Sequence, residues 1–125
     1  MGDSVERLYE GVIRARQGDP TKSRTARLLR SGRAKMAKKL AEEAVEVVID
    51  AMNGSREAVV KESADLIYNL VVLWVSSGVQ PKDVWKEMER RERLFGIAEK
   101  LTKEALDDPR RKVVSLETRR LRKRR

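Results

Sequence analysis

A chain of 125 residues has room for one domain and one modest core, and with 40% apolar and 39% charged residues it is charge-rich but foldable. Cysteine and histidine are both absent. That excludes a disulfide framework, a thiolate or imidazole metal site and an imidazole base, so any bound metal must be held by oxygen, which suits Mg²⁺, Mn²⁺ or Ca²⁺. The net charge of +9 is a property of one end: residues 110–125 hold nine Lys/Arg and one Glu, against twenty basic and nineteen acidic groups in the other 109.

Aromatic residues make up only 4% of the chain, so a core must come from Val, Leu, Ala, Ile and Met, which favours packed helices over a β-sandwich. In chain order, Asp3 or Ser4 is expected to cap a first helix reaching about Gln17, with Val5, Leu8, Val12 and Ile13 on one face. Gly18-Asp19-Pro20 breaks it. Thr21 to Arg33 reads as a loop and a short helix ending at Ser31-Gly32. Ala34 to Met52 reads as a strong helix whose Ala37, Leu40, Ala41, Ala44, Val48, Ala51 and Met52 recur at helical spacing.

Asn53-Gly54 stops that helix, and Ser55 starts another that runs to about Ser77, before Gly78. Its segment Leu66 to Val75 is apolar almost all round and is expected to be central, with a subunit interface as one use for it. Pro81 opens a helix to about Leu94, Gly96 is expected to interrupt it, and Ile97 to Leu106 reads as a last helix closed by Asp107-Asp108-Pro109. The expected fold is therefore an all-α bundle of about five helices over 1–109, followed by a flexible basic tail over 110–125. No secretory leader or membrane-spanning stretch is visible, which reads as a soluble, cytoplasmic protein.

Four carboxylates stand out. Glu43 and Glu46 are neighbours on one helix face, and Glu62 and Asp65 are neighbours on the next. A short turn makes the two helices an antiparallel pair. The midpoint of 46 and 62 is 54, and so is that of 43 and 65. Glu46 is thus expected opposite Glu62, and Glu43 opposite Asp65, in layers roughly 4.5 Å apart at ~1.5 Å rise per residue. Four carboxylates in one interhelical space repel each other unless a cation lies between them. The competing reading makes them surface charges, with Lys38–Glu42 and Lys39–Glu43 as exposed ion pairs one turn apart.

The stretch from Lys39 to Glu46 (KLAEEAVE) and that from Glu62 to Tyr68 (ESADLIY), with Ser23-Arg24-Thr25 upstream, resemble the phosphoribosyl-ATP pyrophosphatases of histidine biosynthesis, members of the all-α, MazG-like nucleotide pyrophosphohydrolases. The resemblance spans about residues 5–100. Ala41 stands where this family usually has Gly, and Asn69 where it usually has His. One short chain cannot cover the apolar Leu66–Val75 segment well, so a homodimer that completes the core is expected, and the resemblance implies the same, together with cleavage of phosphoribosyl-ATP to phosphoribosyl-AMP and pyrophosphate. It implies Mg²⁺, with Mn²⁺ as an alternative, on Glu43, Glu46, Glu62 and Asp65. Glu42 or one of those four, Glu43 included, would be the base. Lys39 would neutralise phosphate, supplemented by Arg27, Arg30, Arg33 and Lys35. Ser23 and Thr25 would bond the triphosphate or ribose, and Tyr68 and Asn69 would line the nucleotide pocket.

Three other readings compete. One is a house-cleaning pyrophosphohydrolase of nucleoside triphosphates. Another is a helical nucleic-acid binder using the tail, which lacks aromatic interleaving and is expected to serve no nucleic-acid function. The third is a purely structural helical dimer.

Overall fold

The computed structural model describes residues 2–105, with side chains over 4–96. It holds five helices, α1 (Gly2–Ala15), α2 (Arg24–Arg30), α3 (Arg33–Met52), α4 (Arg56–Ser77) and α5 (Pro81–Ala105), and no strand among the described residues. The all-α expectation is met. The chain forms two units. The first, Met1–Val84, carries α1 to α4 and the first turn of α5; the second, Trp85–Arg125, continues α5.

Helix α1 begins at Gly2, so Asp3 and Ser4 lie inside its first turn instead of capping it. It unwinds after Ala15 through tight turns, with Arg16 N donating to the Ile13 carbonyl and Gly18 N to that of Ala15. Asp19 then fixes the loop: its Oδ1 accepts from Thr21 N at 2.9 Å and Thr21 Oγ1 at 2.7 Å, a side-chain turn that also holds its carboxyl below the usual range. Ser23 caps α2 by accepting from Ala26 N at 3.1 Å.

The α3–α4 turn positions the site. Gly54 N donates to the Ala51 carbonyl and Ser55 N to that of Asp50, both at 3.1 Å, which closes α3 with a Schellman motif. The motif needs a left-handed residue, and Gly54 has φ +72 with open space where a Cβ would stand. The cost of a side chain there is therefore conformational and not steric. Gly54→Ala is expected to destabilise the fold by about 1–2 kcal/mol, read as a lower urea midpoint at unchanged m-value. Ser55 then caps α4, and α3 and α4 run side by side as the largest helix pair of the first unit.

The far end of α4 is finished by two arginines. Arg16 donates to the Val75 carbonyl at 3.0 Å, which also accepts from Gly78 N, and Arg33 to that of Ser76 at 3.1 Å, placing cations on the carbonyls of the helix's last turn. Pro81 and Asp83 begin α5, Asp83 Oδ2 accepting from Gln80 N. That helix passes through Gly96 without a break, contrary to expectation; one glycine costs a helix only about 1 kcal/mol. The predicted stop at Asp107-Asp108-Pro109 and the tail over 110–125 lie outside the described residues. No described helix is long and apolar enough to cross a membrane.

The core joins Val12 of α1, Met36 of α3 and Val71, Val72 and Val75 of α4, with Leu8, Leu28 and Tyr68 packed against it. The central role expected of Leu66–Val75 is met. The expected apolar face of α3 packs only in part, through Leu40 and Ala44. Met36, Leu40, Glu43 and Val47 turn inward, whereas Ala37, Ala41 and Val48 are exposed and Met52 is 82% exposed. Helix α3 has two apolar stripes, and only the shorter one faces its own core.

Candidate metal centre and basic cleft

The α3–α4 register about Gly54 brings Glu43, Glu62 and Asp65 together, with one carboxylate oxygen from each lying within 4.8 Å of the others. Glu43 is buried, Glu62 half-buried and Asp65 exposed, so the cluster opens outward along α4. Glu46 stands at its edge, beside Glu62. Its carboxylate, and then that of Glu43, press on Glu62; with partial burial they push the Glu62 carboxyl up to about 7. The levels read from the sequence are the levels found: Glu46 meets Glu62, and Glu43 meets Asp65.

Glu43 Oε2 and Glu62 Oε2 are both buried without a hydrogen-bond donor. Carboxylates are acceptors only, so a shared proton or a cation is needed to reconcile them. Among the described residues the one ion pair to the cluster is from Lys39, whose Nζ is 3.6 Å from Glu43 Oε1. Two buried orphaned oxygens and an all-oxygen donor set fit a hard divalent cation. Glu42 is exposed, next to Lys38, Ala41, Val45 and Glu46. It forms no ion pair with Lys38 among the described residues, so of the two expected surface pairs only Lys39–Glu43 is made.

Behind the carboxylates, Asn69 is 3% exposed and donates through Nδ2 to the Asp65 carbonyl at 2.8 Å, while its Oδ1 has no donor. Tyr68 shares a 2.7 Å hydrogen bond with Thr25, tying α2 to α4 beside the site. Ser23 is engaged in its cap.

The basic segment is sorted by what each cation reaches. Arg16 and Arg33 finish α4. Arg27 donates to the Pro20 carbonyl at 3.2 Å and Arg30 to that of Gly18 at 3.4 Å, both holding the loop before α2. Lys35 and Lys39 face Arg24 and Arg27 across a cleft between α2 and α3, with Leu28 and Ser31 completing its wall. Arg24 was not singled out from the sequence. The signal was present in its spacing: Arg24 and Arg27 are three apart on one helix, and Lys35 and Lys39 four apart on the next.

The family model described as Phosphoribosyl-ATP pyrophosphohydrolase matches residues 5–92, which include every residue of the carboxylate cluster and the cleft. A Rhodopseudomonas palustris protein named phosphoribosyl-ATP pyrophosphatase 2 is 61% identical over 131 aligned positions covering 100% of both chains. A Bradyrhizobium diazoefficiens protein of the same name is 61% identical over 99% of each chain. The Gluconobacter oxydans phosphoribosyl-ATP pyrophosphatase is 52% identical over 77% of this chain and 72% of its own. The chain belongs to the phosphoribosyl-ATP pyrophosphohydrolase family.

Proposed function

We propose that this protein hydrolyses phosphoribosyl-ATP to phosphoribosyl-AMP and pyrophosphate in histidine biosynthesis, with Mg²⁺, or Mn²⁺ in its place, held by Glu43, Glu62 and Asp65 and supported by Glu46. The observation that carries it, in a chain of this family, is the convergence of three carboxylates with two buried oxygens that lack donors. When bound, the cation supplies neutralisation of the charge that builds on the phosphate oxygens.

The chain's own residues divide the remaining work. Water adds to the phosphorus that stays with the nucleotide, and the bridging oxygen leaves with pyrophosphate. Glu42, exposed beside the cluster and unpaired with Lys38, takes the proton of the attacking water. Lys39, already within reach of Glu43, neutralises a phosphate oxygen at the cluster's edge. Thr25, Tyr68 and Asn69 line the nucleotide side, where the buried Asn69 Oδ1 awaits a donor such as a hydroxyl or amino group. Ser23 keeps its hydroxyl proton for substrate while its oxygen caps α2.

The test is stoichiometric release of pyrophosphate from phosphoribosyl-ATP with Mg²⁺, loss of that release in chelator, and a parallel panel of ordinary nucleoside triphosphates. Faster turnover of the plain triphosphates would replace this reading with a house-cleaning activity. Glu42→Gln is expected to lower kcat by about 10²-fold or more, the scale of general-base catalysis, while metal binding by calorimetry is kept.

The same reading includes a homodimer. The second stripe of α3 presents Val45, Val48, Ile49 and Met52 at 52–82% exposure, and α4 adds Val60 at 55% and Ile67 at 44%. Apolar surface of this extent is costly in water, and a second copy is the occupant proposed for it. Val48→Glu is expected to convert a dimer to a monomer at micromolar concentration in light scattering; an unchanged dimer would place the interface elsewhere.

A further inference from the structure

The cleft between α2 and α3 is separate from the carboxylates and differs from them in kind. Arg24, Arg27, Lys35 and Lys39 surround it, with Leu28 and Ser31, and no acidic residue lines it. Arg24 and Lys35 make no hydrogen bond or ion pair among the described residues. Lys39 is paired with Glu43 and Arg27 is bonded to the Pro20 carbonyl, so Arg24 and Lys35 are the cleft's cations without a partner among the described residues, and an anion entering the cleft relieves their mutual repulsion. Its volume of about 250 Å³ lies below the ~300–1,000 Å³ of sites that enclose a whole small molecule. It is suited to one charged group of a larger ligand.

Its position says which group. Lys35, Lys39 and Glu43 lie on one ridge of α3 at successive intervals of four residues. Lys35 is therefore about 12 Å along the axis from Glu43 at ~1.5 Å per residue, and Lys39 about half that. With the scissile link at the carboxylates, the leaving pyrophosphate ends one further P–O–P link from it, too short to reach Lys35 and Arg24 in either direction along α3, whereas the nucleotide side of the link is long enough. The substrate proposed above carries one more phosphate, the monoester of its phosphoribosyl group.

We infer that the Arg24–Arg27–Lys35 end of this cleft is a subsite for that second phosphate monoester, and that it selects a doubly phosphorylated nucleotide over a plain triphosphate. The inference rests on the reaction proposed above. Guanidinium forks and an ammonium group suit the three terminal oxygens of a monoester. Lys39 joins the two sites, touching Glu43 on one side and the cleft on the other.

Two product inhibitors separate the sites: phosphoribosyl-AMP keeps the monoester and lacks the leaving phosphates, whereas pyrophosphate is the leaving group alone. In Arg24→Ala and Lys35→Ala, the KM for phosphoribosyl-ATP and the Ki for phosphoribosyl-AMP are each expected to rise about tenfold, the scale of one charge-assisted hydrogen bond. The Ki for pyrophosphate should stay within about twofold of wild type, and Lys35→Arg should recover most of the loss. A parallel rise in the pyrophosphate Ki, or no change in any constant, overturns the subsite and leaves the reaction standing. Wild-type protein that releases no pyrophosphate from phosphoribosyl-ATP overturns the reaction itself, and the subsite with it.

Discussion

Glu62→Gln is expected to lower pyrophosphate release from phosphoribosyl-ATP by about 10²–10³-fold, the scale of removing one preorganised electrostatic group from a reacting centre, and at the same time to raise the thermal stability of the metal-free protein. The two effects have one cause. Glu62 sits between Glu46 and Glu43, and above about pH 7, without a cation, the three negative groups oppose one another across the α3–α4 interface. Gln has nearly the same shape, removes one charge, and supplies an N–H donor to the carboxylates that face it. The helix pair gains what the metal site loses. A residue that served only the fold would lose activity and stability together, so opposite signs distinguish the roles. Melting curves in chelator and turnover in Mg²⁺ are the two readouts. Asp65→Asn, exposed at the mouth of the cluster, should lose turnover to a similar degree. Glu46→Gln should lose less, because Glu46 lies beside the convergent trio and not within it. Full turnover in both Glu46→Gln and Asp65→Asn would remove the carboxylates from the chemistry.

How much of this was legible in the sequence depended on the range of the interaction. The pairing of Glu46 with Glu62 and Glu43 with Asp65 followed from a turn at Gly54 and the regular rise of two helices, both local properties. Helix starts at Ser55 and Pro81 and stops at Gly54 and Gly78 were also local, set by capping oxygens, a missing N–H and left-handed backbone. The core-facing side of α3 was not local. Periodicity marked Ala37, Leu40, Ala41, Ala44 and Val48, of which Leu40 and Ala44 turn inward, but Met36 and Val47 are inside as well, and only the packing of α1 and α4 decides which positions are covered. The basic segment failed for the same reason. Ten cations between Arg14 and Lys39 look equivalent in sequence. Arg16 is distinguished by a carbonyl 59 residues away, at Val75, and Arg33 by one 43 residues away, at Ser76. Such bonds are set by tertiary placement and leave no periodic trace. Gly96 does not end α5, because a single glycine weakens a helix without breaking it.

Without a divalent cation the protein is expected to lose stability as pH rises, and Mg²⁺ is expected to reverse the loss. Glu62 holds its proton up to about 7 in the folded state, against an ordinary 4.5, with its contact to Glu46 the largest cause and that to Glu43 the next. Between those values the folded chain binds more protons than the unfolded one, so raising the pH favours unfolding. The stabilising contribution is complete below 4.5 and is lost as pH passes through 7. Glu87 does not mask this. Arg90 and Arg91 hold it down to about 2, so its contribution is present above 4.5 and fades only as pH falls toward 2, outside the window. Mg²⁺ needs the deprotonated carboxylates, so its affinity grows across the same interval. At a hundredfold excess over its Kd it adds about 2.7 kcal/mol if it binds only the folded chain. Urea midpoints at about pH 5 and about pH 8, with Mg²⁺ and with chelator, therefore separate the terms. In chelator the wild-type midpoint should fall between the two pH values and that of Glu62→Gln should stay nearly level. In Mg²⁺ the wild-type midpoint should instead hold or rise. A wild-type midpoint in chelator that does not move would mean that Glu62 is relieved by neighbours other than a metal, and the carboxylate cluster would lose its need for one.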